Sequence, residues 1–161
     1  MAKSTFISFH YAQDHWRVQQ VVNMGAIQGQ TIVSAQNWES VKRQGDQAIK
    51  NWIENEMKGK SAVVVLVGSQ TAARPWVNYE IIKAWNDQRP LVGIRIHGLQ
   101  DKNEKTDFSG ANPFEKIKLD NGKTIADYVP LHTPSGAYST QVYANIKTNI
   151  TSWVENAYKR S

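Results

Sequence analysis

The sequence predicts an α/β fold in which helices cover both faces of a doubly wound, mainly parallel sheet. Over the first hundred residues, short apolar runs alternate with helix-like repeats, which is the order typical of such folds. The run at residues 62–67 is unbroken in its apolar character, as expected of a strand that is buried on both faces. We therefore expect one sheet at the centre of a single domain over residues 1–161.

The first strand and the first helix are predicted near the amino terminus. Residues 5–9 are mainly aromatic and β-branched, which favours a strand. A repeat of valines at helical spacing then predicts a helix from Asp14, whose carboxylate could cap or charge the helix amino end. A second short strand is predicted at residues 31–34.

The middle of the chain predicts two more strand and helix pairs. A second helix begins at Asp46, because apolar residues recur every three or four positions up to Met57. The strand at 62–67 follows, and Pro75 begins the third helix, since proline is tolerated in a first turn. Residues 91–96 are the next predicted strand.

The last third of the chain is less regular. Residues from about 97 to 135 are rich in Gly, Asn, Asp, Lys and Pro, which predicts an elaborated loop region with a short edge strand near 128–131. A final helix is predicted over about 140–158, with one apolar face.

Composition narrows the class of protein. The chain has no cysteine, which excludes disulfides and thiolate nucleophiles. No signal peptide or apolar run of about 20 residues is present, so we expect a soluble cytoplasmic protein without a membrane partner. The net charge of +5 favours anionic ligands. Its basic residues are scattered, which argues against nucleic acid as the partner.

Glu80 is the first candidate for chemistry. In a doubly wound sheet, ligands bind beyond the carboxyl ends of the strands, where the strand order reverses. In a flavodoxin-like order, the loops at this point are residues 9–12 and 68–70. The third helix grows from the second of these loops, and helical spacing puts Glu80 at the edge of its apolar stripe. From position alone, a solvated surface glutamate remains the alternative.

Several motifs carry a family resemblance. They are Phe6-Ile-Ser-Phe-His-Tyr11, Val65-Leu-Val-Gly-Ser-Gln-Thr71, Arg74-Pro-Trp-Val-Asn-Tyr-Glu-Ile81 and Gly93-Ile-Arg-Ile-His97. Together they resemble the TIR-like ThsB proteins of the Thoeris anti-phage system, over about the first hundred residues. The resemblance implies a flavodoxin-like TIR fold.

The resemblance also implies an activity and partners. NAD is then the substrate and not a cofactor, nicotinamide is released, and a cyclic ADP-ribose isomer is made as an immune signal. The catalytic glutamate of the family corresponds to Glu80. The signal would act on a separate Thoeris effector with a sirtuin-like NADase and a SLOG sensor domain. A phage-derived trigger and a homo-oligomer are further expected partners.

Residues near the switch point are the candidates for NAD binding. Phe9, His10 and Tyr11 would form one wall, with aromatic faces for a base and donors for phosphate. For three of these candidates, a purely structural role is the alternative. Phe9 could pack in the core, and Asp46 and Ser69 could cap helices. The predicted NAD-binding set is Phe9, His10, Tyr11, Trp38, Asp46, Ser69, Arg74 and Trp76.

A metal site is not expected. His10 and His15 lack the four-residue helical spacing of a ligand pair, and no third ligand is near them in sequence. Dinucleotide-dependent redox chemistry is discarded as well, because Gly25-Ala-Ile-Gln-Gly29 is not a G-x-G-x-x-G motif and follows a helix.

Three other functions remain open at this point. The first is a TIR-like interaction or sensor module without activity, because a fold does not dictate its chemistry. The second is a variant that transfers ADP-ribose to another acceptor and makes a different signal. The third is a nucleotide- or nucleic-acid-binding protein, motivated by the isoelectric point near 9.4.

Overall fold

The computed structural model describes residues 3–29 and 40–160, and within them five parallel strands form one sheet. The strands are β1 (Lys3–Ser8), β2 (Ile27–Gln28), β3 (Ala62–Val67), β4 (Leu91–Arg95) and β5 (Leu131–His132). Their spatial order is β2-β1-β3-β4-β5. Since β1 lies beside β3, the strand order reverses between these two strands, as predicted for a flavodoxin-like sheet.

In the described part of the chain, four long α-helices cover the two faces of the sheet. They are α1 (Tyr11–Asn23), α2 (Asp46–Met57), α3 (Pro75–Asn86) and α4 (Ser139–Glu155). The apolar faces of α2 and α3 pack in one core cluster, and those of α1 and α4 pack in the other. The predicted α/β architecture with helices on both faces is confirmed.

Strand β3 is the centre of the sheet, and its sequence explains why. All six of its residues are buried, since β1 and β4 flank it and helices cover both faces. Its side chains alternate between the two core clusters. An unbroken apolar run is therefore required there.

The alternation of side chains along β1 has a consequence for chemistry. Phe6 packs in the cluster of α2 and α3, whereas Ile7 packs in the cluster of α1 and α4. Ser8 follows Phe6 by two residues, so it lies on the same face of the sheet as Phe6. A hydroxyl is thereby directed towards α3, the helix that carries Glu80.

Helix α1 begins three residues earlier than predicted. It starts at Tyr11 with His10 as its N-cap residue, so Asp14 lies inside the helix and does not cap it. Asp14 is instead fully buried and bound to the buried Arg17, whose Nη1 lies 2.9 Å from its Oδ1. Arg17 is therefore held in an ion pair, and it is not among the described residues that line the switch-point cavity.

The edge strands differ from the sequence expectation. The predicted strand at 31–34 lies outside the described residues, and β2 is Ile27–Gln28, paired with Lys3 and Ser4. The other edge strand is β5, which begins at Leu131, near the end of the predicted segment 128–131. Both strands are two residues long, which is too short for the alternation of apolar and polar residues that identifies a strand in a sequence.

The region from 97 to 135 is not only loop. Short 3₁₀ helices at Pro113–Lys116 and Ile125–Asp127 bring the buried Phe114 and Ile125 into the core. Helix α4 ends at Glu155 and not near 158, because the backbone of Tyr158 pairs with Leu91 of β4. Within residues 3–29 and 40–160, no helix has the length and apolar character needed to cross a bilayer.

Candidate active site

A cavity opens at the carboxyl ends of β1 and β3, where the strand order reverses. Among the described residues, its lining comes from the β1–α1 loop and the first turn of α1, from the start of α3 and from one residue just before α2. The lining residues are Phe9, His10, Tyr11, Ala12, Lys42, Arg74, Pro75, Trp76, Val77 and Glu80. The cavity has a volume of about 100 Å³. At the roughly 30 Å³ that a water occupies in the liquid, the cavity holds about three waters, which is about the size of one aromatic ring.

Helix α3 presents Glu80 to this cavity. Pro75 begins the helix, and Val77, Ile81 and Ala84 anchor one side of it in the core. Glu80 is on the border of this anchored side and is only 5% exposed. The solvated surface glutamate considered from the sequence is therefore excluded for this position.

The Glu80 carboxylate has one buried hydrogen-bond donor, the hydroxyl of Ser8. Ser8 Oγ donates to Glu80 Oε1 at 2.6 Å, between residues 72 positions apart in the chain. This length is at the short end of the range for a hydrogen bond between two oxygens. Ser8 thus fixes one carboxylate oxygen.

Burial and this hydrogen bond act in opposite directions on Glu80. Burial raises the pKa of Glu80 from its usual value of 4.5 to about 8, and the Ser8 hydrogen bond works to lower it. A carboxyl with a pKa near neutrality can give and take a proton at physiological pH. Strong perturbation in a cleft also marks a functional-site candidate.

Aromatic rings form the walls beside Glu80. The rings of Phe9 and Tyr11 stack with their centroids 4.2 Å apart, which fixes both side chains at the cavity. Trp76 lies one helical turn before Glu80 and packs edge-on against Tyr79 at 5.5 Å. Such walls suit the flat ring of a base or a nicotinamide.

Cationic groups stand at the rim of the cavity. Arg74 is the N-cap residue of α3, Lys42 lies just before α2, and both side chains are exposed. Burial and then the charge of Arg74 lower the pKa of His10, so this imidazole is neutral at pH 7. The rim therefore attracts anions through Arg74 and Lys42.

Six of the predicted site residues meet at this cavity. They are Phe9, His10, Tyr11, Arg74, Trp76 and Glu80. Phe9 also packs in the core, so it has a structural role and lines the cavity as well. Trp38 lies outside the described residues.

Ser69 and Asp46 are not at the cavity. Ser69 Oγ donates to Asp107 Oδ2 at 2.5 Å and accepts from Gln13, so it ties two loops together and caps no helix. Asp46 is the first residue of α2 and is exposed, with Gly45 as the N-cap residue. Ser69 was predicted at the site because it lies in a switch-point loop, and Asp46 because it flanks the loop before α2. A loop can direct a side chain either way.

Ser8 and Lys42 are the site residues that sequence reasoning missed. A signal for Ser8 was available, because it is a polar residue two positions after Phe6 on a strand that alternates between two core faces. Lys42 has no such signal, since its position depends on the path of the chain before α2. In the described part of the chain, no group of three His, Asp or Glu side chains is arranged to hold a metal ion.

The sheet order, together with a buried glutamate on the helix after the central strand, defines a flavodoxin-like α/β domain of the TIR-like class. Residues 6–101 match the family model described as Thoeris protein ThsB, TIR-like domain. The chain belongs to this family. The matched residues include every described residue that lines the cavity.

The chain is also similar to a protein whose name states a function. The chain is 34% identical over 127 residues to a protein of Bacillus cereus strain MSX-D12 named "Putative cyclic ADP-D-ribose synthase ThsB1". The aligned part covers 73% of this chain and 64% of the relative. The chain therefore spans less than two thirds of the length of that relative.

Proposed function

We propose that the chain cleaves NAD at the nicotinamide–ribose bond and makes a cyclic ADP-ribose isomer as an anti-phage immune signal. The observation that carries this proposal is the Glu80 carboxylate, buried and hydrogen-bonded to Ser8 beside an aromatic wall and a cationic rim. The name of the Bacillus cereus relative, a cyclic ADP-D-ribose synthase, supports the same reaction. NAD is a substrate in this proposal, and no cofactor is required.

The first chemical step breaks the bond between ribose C1 and the pyridinium nitrogen. The electron pair of this bond goes to the nitrogen, and nicotinamide departs as a neutral molecule without needing a proton. Positive charge is left on C1 and the ring oxygen of the ribose. A carboxylate beside the ribose stabilises this charge, as carboxylates do in glycoside hydrolysis, and we assign this role to Glu80.

The second step closes the ring. A hydroxyl of the adenosine part of the same molecule attacks C1, and its proton passes to the Glu80 carboxylate and then to solvent. The overall reaction releases one nicotinamide and one proton for each NAD. A pKa near 8 suits Glu80 to this transfer, because the group accepts and returns a proton close to physiological pH.

The rim and walls support substrate binding. Arg74 and Lys42 attract the phosphates of NAD electrostatically. Phe9, Tyr11 and Trp76 offer ring faces to the nicotinamide. His10, being neutral, contributes hydrogen bonding and no charge.

The test compares Glu80→Gln with a matched exposed glutamate. We expect Glu80→Gln to lower the rate of nicotinamide release by about 10² to 10³, the usual cost of one well-aimed electrostatic group. Glu54→Gln, an exposed position on α2, should keep the wild-type rate. Mass spectrometry of the products separates a cyclic isomer from ADP-ribose and from an adduct with another acceptor.

Two outcomes would contradict the proposal. Equal turnover by Glu80→Gln and wild type would remove Glu80 from the chemistry. A wild-type chain that leaves NAD intact, also together with phage-infected cell extract as trigger, would favour the interaction module without activity. The same product mixture, added to a Thoeris effector with a sirtuin-like NADase and a SLOG sensor, tests the proposed partner.

A further inference from the structure

A second groove lies directly beside the cavity and shares part of its wall. Tyr11, Ala12 and Trp16 of α1 form one side of this Trp16 groove, and residues 101–103 form the other. Its volume is about 500 Å³. Tyr11 and Ala12 line both the groove and the cavity of Glu80, so the two spaces meet at the first turn of α1.

The two sides of the groove are held together by hydrogen bonds that are buried or partly buried. Arg17 Nε donates to the carbonyl of Leu99 at 2.8 Å, and Arg17 Nη2 donates to that of Lys105 at 3.0 Å. Gln20 donates to the carbonyl of Gln100 at 2.6 Å. The loop opposite α1 is therefore fixed before any ligand arrives, which lowers the entropic cost of binding.

Trp16 is the unusual residue of this groove. Its side chain is 54% exposed, whereas large apolar side chains are ordinarily covered. An exposed indole offers a wide, rigid face for stacking a base. Across the groove, Lys102 adds a positive charge next to the carboxylate of Asp101, whose Oδ1 is engaged by backbone N–H groups of its own loop.

The cavity is too small to hold a whole dinucleotide. About 100 Å³ encloses about one aromatic ring, whereas a dinucleotide has two bases and two sugars, joined by a diphosphate. The remainder of the substrate must leave the cavity along an adjoining depression. A smaller one, of about 200 Å³, shares Arg74 with the cavity, and none of its described lining residues is aromatic.

We infer that the Trp16 groove binds the adenine end of the dinucleotide, with the base stacked on the indole of Trp16. This inference rests on the proposed function, since it assumes that the nicotinamide end lies at Glu80. The diphosphate then crosses the first turn of α1, whose N-cap residue, His10, makes no side-chain capping bond. Lys102 lies on the far side of the groove as a further contact for anionic groups.

The first test measures ADP-ribose binding by isothermal titration calorimetry. Trp16→Ala should weaken binding about tenfold, within the range that base–aromatic stacking supplies. Trp16→Phe should restore most of the affinity because it keeps an aromatic face. Phe108→Ala, at a side chain that is 80% exposed and lines neither space, should bind as the wild type does.

The second test measures steady-state cleavage of NAD. We expect Trp16→Ala to raise the KM for NAD by about the same tenfold factor. Its kcat should be unchanged, because the indole is remote from the breaking bond. A merely structural role would lower the amount of active protein and hence the apparent kcat.

The outcomes separate this inference from the proposed function. Cleavage of NAD with the same KM in wild type and Trp16→Ala would contradict the role of the groove in binding adenine, and it would leave the proposed activity intact. Binding of ADP-ribose that depends on Trp16, without cleavage of NAD, overturns the activity and leaves the groove. Equal ADP-ribose affinity together with a lower sedimentation coefficient for Trp16→Ala would mean that the indole joins two copies of the chain, which also overturns the inference.

Discussion

Glu80 occupies a position where its negative charge is costly. Burial disfavours the charged carboxylate and raises the pKa of Glu80 to about 8, against the Ser8 hydrogen bond. The free protein at pH 7 therefore holds mostly the protonated acid. A positively charged nicotinamide ring beside it would favour the ionised form, so substrate binding and ionisation support each other.

The pH dependence of NAD cleavage should report this environment. We expect kcat/KM to rise with pH and to level off above about 8, since this parameter follows the ionisation of the free enzyme. Ser8→Ala removes the hydrogen bond that lowers the pKa of Glu80, so its profile should reach the plateau at a higher pH. Its rate at pH 7 should fall about tenfold, as expected when the pKa rises by about one unit. The measurement is initial nicotinamide release from pH 6 to 9.5.

Thr5→Val is the matched control for Ser8→Ala. Thr5 is also fully buried on β1, but its hydroxyl has no hydrogen-bond partner among the described residues and faces the other core cluster. Removing it should leave the profile unchanged. A flat profile for the wild type, or identical profiles for Ser8→Ala and Thr5→Val, would contradict the assigned roles of Ser8 and Glu80.

Helix α1 depends on a buried ion pair between Arg17 and Asp14. Arg17 is 2% exposed, bonds to Asp14 and to two loop carbonyls, and packs under residues 99–105. Burial raises the pKa of Asp14, and the interaction with Arg17 opposes that rise. The pair thus joins the helix that carries Tyr11 to the loop after β4.

Breaking this pair should be much more damaging than breaking an exposed one. Arg17→Met should lower the free energy of unfolding by about 3–5 kcal/mol, because it leaves the Asp14 carboxylate buried without its partner. Lys83→Ala breaks the Lys83–Asp87 pair, also 2.9 Å long but partly exposed, and should cost less than about 1 kcal/mol. Urea denaturation at pH 7 measures both, and equal losses would contradict the argument.

Element boundaries show where sequence reasoning succeeds. The start of α2 at Asp46 and of α3 at Pro75 follow from apolar spacing and from the tolerance for proline in a first turn. The start of α1 at Tyr11 was missed, since its first turn packs an aromatic ring on Phe9 and carries no capping side chain. The positions of the two-residue edge strands depend on pairing with neighbouring strands, and a local sequence pattern does not show this pairing.

The stability of the whole molecule should fall as pH rises, through Glu80. Below its usual pKa of 4.5 the carboxyl is protonated in both the folded and the unfolded chain. Between 4.5 and about 8 only the unfolded chain ionises, which favours unfolding, and above about 8 both do. At about 1.4 kcal/mol per pKa unit, this loss reaches up to about 5 kcal/mol.

Glu80→Gln isolates this contribution, because glutamine does not titrate and other groups cancel in the comparison. The variant should gain stability relative to the wild type as pH rises from 5 to 8. Thermal unfolding at matched pH values measures the difference. A constant difference across this range would mean that Glu80 is not held with a raised pKa.

The fold as a whole was more predictable than the site. The buried run of β3 and the amphipathic patterns of its flanking helices are enough to predict a doubly wound sheet, which in turn predicts where ligands bind. The Ser8–Glu80 contact joins residues 72 positions apart and depends on the register between β1 and β3. Such a contact follows from tertiary packing, and one sequence does not encode it as a local pattern.

The ties from Arg17 to residues 99 and 105 are made to backbone carbonyl oxygens. Every amino acid has such an oxygen, so these two ties do not depend on the side chains at positions 99 and 105. Within the loop, the Asp101 carboxylate accepts from the backbone N–H groups of Asn103 and Lys105 and is the side chain that holds the turn. Lys102 and Asn103 are exposed and can therefore be exchanged while the loop keeps its course. This arrangement makes the loop a suitable place for evolution, or for a designed library, to vary ligand preference without loss of foldability.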